Sequence, residues 1–201
     1  MDGADGSTSF IDSSGSPKLF TANGTAQIDT AQSMFGGASG LFNGTGNYVS
    51  SNSVDVGFTM GTGDFTVEGW CLSSTLGRAL LDLRAVGTPG FFFGTNASGF
   101  LQAFCNSGSS VTINGLTTVC DGTWHSFAFS RVSGVMYIFR DGLLEISGAM
   151  ANNHNNTGRA FVGAANNNTV VWVGHIDELR ITKGVGRYSS NYTPSGPFPN
   201  S

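Results

Sequence analysis

Charge is scarce in this chain: only 11% of its 201 residues are Asp, Glu, Lys or Arg. The nine Lys and Arg form no basic stripe and the net charge is -4, so nucleic acid is a poor partner. Cysteine is sparse as well. Cys71, Cys105 and Cys120 make an odd set with neither a zinc spacing nor a CxxC pair. They read as buried reduced thiols, with one disulfide plus a free thiol as the alternative. Reduced thiols fit a protein that folds in a cytoplasm, even if it works outside the cell. No apolar run approaches the roughly 20 residues of a membrane helix, so no membrane span is expected. The opening "MDGADGSTSF" has neither the basic n-region nor the apolar core of a signal peptide.

Helical periodicity is nearly absent, and what remains is strand and turn. Thirty glycines and many asparagines are spread along the chain, as many short turns require. Sixteen Phe and three Trp are enough for a sizeable core. "DFTVEGWCL" (64–72) alternates Phe65, Val67, Gly69 and Cys71 against Thr66, Glu68, Trp70 and Leu72. "RALLDLR" (78–84), "GFFFGT" (90–95), "GFLQAFC" (99–105) and "SVTING" (110–115) follow at short intervals. "WHSFAFSRVSGVMYIFRDGLLEIS" (124–147) holds three strands, turned at Ser133–Gly134 and at Asp141–Gly142. Both residues of the second turn accept the positive φ of a type I′ hairpin. "GRAFVGAAN" (158–166) and "VVWVGHIDELRIT" (170–182) complete a series of about a dozen strands. In the last of these, Ile176, Leu179 and Ile181 break strict alternation, which predicts a bulge. "GVGRYSS" is read as one helical turn. The fold class is all-β, a two-sheet antiparallel β-sandwich. Residues 1–193 form a single domain, and a Pro-rich tail of 194–201 follows.

Four ordered blocks resemble the laminin-G-like or concanavalin A-like lectin/glucanase superfamily, closest to the versions in bacteriophage structural proteins. "FGGASGLFNGTGNYVS" (35–50) looks like its early strand pair, and "GTGDFTVEGW" (61–70) like its first long core strand. "DGTWHSFAFSRVSGVMYIFRDG" (121–142) looks like its central meander, and "HIDELRITKGVGRY" (175–188) like its closing strand. The resemblance implies a jelly-roll sandwich. It also implies a structural calcium ion near the chain ends, held by Asp177 with Asp2, Asn43 and neighbouring turn carbonyls, since calcium takes 6–8 oxygens. Asn43 stands where the family usually has Asp.

A glucanase reading finds no support. β-Glucan hydrolases of this superfamily carry an E-x-D-x-x-E spacing, and Glu68, Glu145 and Glu178 do not match it. Glu68 reads as a half-buried, hydrogen-bonded carboxylate. Glu178 and Arg180, two apart, read as a surface pair. His125, His154 and His175 belong to no recognisable catalytic arrangement. Trp124 and Trp172 read as core, while Trp70 is balanced between core and sugar platform. "MANNHNNTGR" (150–159) is a loop dense in amides, which donate to and accept from sugar hydroxyls. The candidate carbohydrate-binding residues are therefore Trp70, Asn152, Asn153, His154 and Asn155, set against a merely solvated loop. "AANNNTV" (164–170) is expected at the opposite end of the sandwich.

The leading expectation is a non-enzymatic virion module, a phage tail-fibre or capsid-decoration domain. It would act outside the cell, binding glycans or a host cell surface and contacting other virion subunits. A homo-oligomer, in the form of a trimer, fits that setting. The alternative is a carbohydrate-binding module of a larger secreted enzyme or adhesin. Low overall charge favours neutral glycans over acidic polymers.

Overall fold

The computed structural model describes residues 1–84, 89–154 and 158–199. It is a sandwich of two antiparallel seven-stranded sheets. The first sheet runs, in spatial order, β1 (Phe20–Asn23), β4 (Tyr48–Ser51), β13 (Phe161–Val162), β6 (Ala79–Asp82), β7 (Phe91–Thr95), β8 (Phe100–Cys105) and β9 (Val111–Thr118). The second runs β12 (Leu143–Ala149), β11 (Val135–Arg140), β10 (Trp124–Val132), β5 (Phe65–Leu72), β14 (Val173–Lys183), β3 (Ser39–Asn43) and β2 (Gln27–Asp29). The early block 35–50 is thus divided. Its strands β3 and β4 lie in opposite sheets, and β4 pairs instead with β1 and β13.

Alternation places the core. Phe65, Val67 and Cys71 of β5 and Phe127 and Phe129 of β10 point between the sheets and meet Phe91 and Phe93 of β7. All three cysteines are free and buried. Turn chemistry fixes the hairpins, since Asp141 has φ 51 and Gly142 φ 75, as a type I′ turn requires. The bulge in β14 falls between Asp177 and Arg180, where Glu178 takes φ 49. It sends Arg180 across to Glu68 (Oε1, 2.8 Å), so the expected Glu178–Arg180 surface pair does not form.

A cation enters the interior. Arg131 ends the inward row of β10 and is fully buried. Its guanidinium lies 4.7 Å from the Phe65 ring centroid and 5.0 Å from that of Phe91. It donates to the carbonyls of Met60 (3.3 Å), Gly61 (2.9 Å), Gly63 (2.9 Å) and Asn152 (3.0 Å). Burial pushes its pKa down.

"GVGRYSS" is no helix. Residues 185–199 cross the outer face of the second sheet as a strap. The strap starts where Thr66 Oγ1 donates to the Val185 carbonyl (2.9 Å) and the Tyr188 amide donates to Ser130 Oγ (3.1 Å). It passes the β11–β12 turn, where the Tyr192 amide donates to the Gly142 carbonyl (2.9 Å). It returns to β14, where the Phe198 amide donates to Glu178 (2.6 Å).

Two outcomes follow from this packing. Arg131→Met takes the guanidinium from four carbonyls. Those of Met60 and Gly61 keep the amides of Gly63 and His154, while those of Gly63 and Asn152 lose the donor described above, each lost partner costing about 1–3 kcal/mol. The urea midpoint should fall by the equivalent of about 3 kcal/mol or more. A Cβ on Gly142 would stand 2.1 Å from the Tyr192 carbonyl oxygen. Gly142→Val should therefore lose about 2 kcal/mol or more and lower the thermal midpoint by several degrees.

Candidate glycan-binding surface

The strap removes one candidate from solvent. Trp70 is 4% exposed, edge-on to Phe35 (centroids 4.9 Å) and packed on Phe198 (5.2 Å). Arg180 lies 3.7 Å over the Phe198 ring. Trp70 is a buried strut between strand and strap, not a sugar platform. Glu68 beside it is 2% exposed, more buried than its sequence reading. Arg180 donates to its Oε1 (3.0 and 2.8 Å) and Tyr188 to its Oε2 (2.9 Å). Burial, then the Glu68 charge, raises the Tyr188 pKa to about 12.

The amide-rich loop is also used structurally. Asn152 Nδ2 donates to the carbonyls of Ser107 (2.7 Å) and Ser109 (2.8 Å). His154 is fully buried, exchanges backbone hydrogen bonds with Gly61 (2.9 and 3.1 Å) and meets the Phe91 ring edge-on. Asn153 is exposed, and its carbonyl accepts from Ser107 Oγ. Asn155 lies outside the described residues. The loop 164–170 folds over the first sheet, where the Asn166 amide donates to Asp82 Oδ2 (2.9 Å).

The proposed metal ligands do not converge. Asp177 is fully buried, and its carboxylate accepts from the nitrogens of Met1 (2.5 Å), Met34 (3.0 Å), Phe35 (3.1 Å) and Glu178 (2.9 Å). Asn43 pairs with Val173, about 13 Å along β14 from Asp177, and its amide donates to Thr25 Oγ1 (3.0 Å). Asp2 lies against Gly36. Nitrogen donors around Asp177 do not fit an ion that takes oxygen ligands. No cluster of three or more His, Cys, Asp or Glu is gathered for a metal among the described residues.

The histidines are held in place too. His125 lies between Asp141 (Nδ1, 2.8 Å) and Asp121 (Nε2, 3.0 Å), so both ring nitrogens are engaged. Thr123, which donates to Asp121 (2.7 Å), leads the effects that bring the Asp121 pKa down to about 2. Ser39, His175 and Asp29 only mimic a catalytic triad. Ser39 and Asp29 approach the same nitrogen, Nδ1 (3.0 and 3.7 Å), and the Ser39 hydroxyl donates to the Gln32 carbonyl (2.8 Å). A triad needs opposite ring nitrogens and a hydroxyl free to give its proton to the imidazole. Trp172 is fully buried, as expected, whereas Trp124 is partly exposed beside His175.

The outer face of β8 and β9 is partly open to solvent. Phe100, Gln102 and Phe104 are partly exposed between buried Leu101, Ala103 and Cys105. Thr112, Asn114 and Leu116 stand exposed on the neighbouring strand, with Gln102 opposite Asn114 and Phe104 opposite Thr112. Gln102 Nε2 (2.8 Å) and Asn96 Nδ2 (3.4 Å) both donate to Asn114 Oδ1. The result is an amide cluster between two rings about 13 Å apart along the strand. Arg84 borders Phe104 (5.7 Å to the centroid), fixed by Asp82 (2.7 Å). The signal is present in the alternation of "FLQAFC" and "VTINGL", which places Phe100, Gln102 and Phe104 on one face.

A lectin-like sandwich is thus the class of protein the fold defines. The profile of the Laminin_G_3 family, described as concanavalin A-like lectin/glucanases superfamily, matches residues 43–185, and the chain belongs to it. Domain 4 of AbnA, a GH43 extracellular arabinanase from Geobacillus stearothermophilus solved with arabinotriose, is similar. Its TM-score is 0.61 at 19% identity, covering 84% of this chain and 82% of that one. Botulinum neurotoxin type C, whose cell entry depends on two ganglioside molecules, matches with TM-score 0.66 at 17% identity, covering 87% and 46%. Domains LG4-5 of the mouse laminin alpha1 chain match with TM-score 0.57 at 16% identity, covering 79% and 46%. The chain spans about half the length of the toxin and laminin chains. At such identities the likeness is one of fold. No curated protein sequence matches the chain.

His154 gives this region a pH signature. Its pKa drops from 6.5 to about 4, first through burial and then through Arg131. As pH falls through that window, the unfolded chain takes up a proton that the folded chain refuses. Stability present above about 6.5 is therefore lost toward about 4, by up to about 3 kcal/mol. Urea unfolding of His154→Asn at pH 7 and pH 5 should show a flatter pH slope than the parent. Some slope remains, because burial lowers the His175 pKa as well.

Proposed function

We propose that this chain is a non-enzymatic glycan-binding module whose site is the β8–β9 strip. The strip carries the reading. It combines partly exposed rings, which stack on apolar sugar faces, with amides that both donate and accept. The three glutamates support a non-catalytic role. Glu68 is held by Arg180 and Tyr188, Glu145 accepts from the Leu116 amide (3.1 Å), and Glu178 accepts from that of Phe198 (2.6 Å). The arabinotriose of the arabinanase domain and the gangliosides of the toxin support a sugar ligand here.

The setting we infer is a phage virion, as a tail-fibre or capsid-decoration module that adheres to host or environmental glycans, among other virion subunits and as a trimer. Its low charge and many short loops fit that setting. A second setting, a carbohydrate-binding module of a secreted enzyme, is favoured by the match to 82% of the arabinanase domain. One shallow strip gives weak binding per domain, and linked copies multiply it by about 10²–10⁴.

On a glycan array displaying the domain multivalently, Gln102→Ala with Asn114→Ala should abolish neutral-glycan binding. Phe104→Ala should weaken it by about tenfold, and the melting temperature should stay within a few degrees of the parent. If the double variant binds as the parent does, the strip is not the site.

A further inference from the structure

A groove of about 220 Å³ lies beside the β4 end of the first sheet, between residues 17–19 and 51–58. Phe58 forms a buried wall, and Leu19 is 77% exposed at its edge. Lys18 and Asp55 both line it, Nζ to Oδ2 3.2 Å. Two further cations fasten to the same loop. Arg159 donates to the Asn52 carbonyl (2.9 Å) and Lys183 to the Val56 carbonyl (2.8 Å). Three of the chain's nine Lys and Arg therefore gather on residues 52–58. Against them stand Asp55 and Asp12, whose Oδ2 accepts from the Lys18 amide (2.7 Å). A carbonyl satisfies a donor without cancelling its charge, so the loop keeps an excess of positive charge within an acidic chain.

The volume falls below the roughly 300–1,000 Å³ of drug-sized pockets, which suits one sugar ring and not an oligosaccharide. Asn52 and Ser53 offer partners for hydroxyls, Leu19 an apolar surface for a ring face, and Lys18 a charge that a ligand carboxylate would share with Asp55. We propose that this groove binds a single acidic sugar unit, a hexuronate or similar carboxylate-bearing saccharide, within a glycan. The inference rests on the glycan-binding reading of the chain but concerns a site separate from the β8–β9 strip. The scarcity of charge overall hid it, because the average over the chain conceals a local excess.

The test is NMR titration of the whole chain with trigalacturonate, galactotriose and sodium acetate. Trigalacturonate should shift the amides of Lys18, Leu19 and Asn52, and its affinity should fall as salt is raised, since exposed charges are screened. Lys18→Gln and Leu19→Ser should each weaken it roughly threefold, the scale of one exposed contact. The Gln102→Ala, Asn114→Ala variant should bind it as the parent does. Equal shifts from acetate or galactotriose, or full affinity in Lys18→Gln, would overturn the groove assignment. Uronate binding in the groove without any neutral-glycan binding at the strip would overturn only the strip.

Discussion

A full positive charge lies inside this sandwich, and much of one end is arranged to keep it there. Arg131 is pressed between the rings of Phe65 and Phe91, away from water. Removing a guanidinium from water costs several kcal/mol unless its donors are satisfied. The partners here are carbonyls of Met60, Gly61, Gly63 and Asn152. Those carbonyls belong to two loops far apart in sequence, so both loops must come to the same point. Gly61 and His154 then bridge the loops directly, and Asn152 reaches Ser107 and Ser109 on a third. The amides in this loop that look available for sugar are spent in part on holding the end of the fold together.

The same economy governs the other charges. Glu68, Asp82, Arg131 and Asp177 are all at most 2% exposed in a chain with few charges to spare. Each also reaches a segment outside the strand ladders. Glu68 anchors Arg180 and Tyr188, and thereby the strap, while Asp82 ties Arg84 and the loop at Asn166. Asp177 gathers the amides of Met34 and Phe35. Where the strap crosses the second sheet, Glu68 and Trp70 become interior, while Leu143 and Leu144 of β12 stay in solvent. The sugar surface we propose therefore lies on β8 and β9, away from Trp70.

Local features were legible in the sequence. The Asp141–Gly142 turn, the inward row of β5, the buried thiols and the bulge in β14 each depend on neighbours within a few residues. Phe100 and Phe104 lie in a segment legible as a strand, but residue type alone does not say which face they take. Their alternation with buried Leu101, Ala103 and Cys105, and the pairing of Phe104 with exposed Thr112, turn them outward. The helical turn expected at 184–190 failed because its donors and acceptors find partners in β5 and β10, more than 50 residues away.

By itself, then, the sequence determined the strands, their turns and the membership in a lectin-like family, because period-two patterning and turn residues act over short distances. Which face is covered, which carboxylates are neutralised and which amides are free was decided only by the tertiary structure. Those outcomes depend on contacts such as Glu68 with Tyr188, 120 residues apart, and Met34 with Asp177, 143 apart. Burial of a polar group is a property of what crosses over it, and the crossing segment lies elsewhere in the chain.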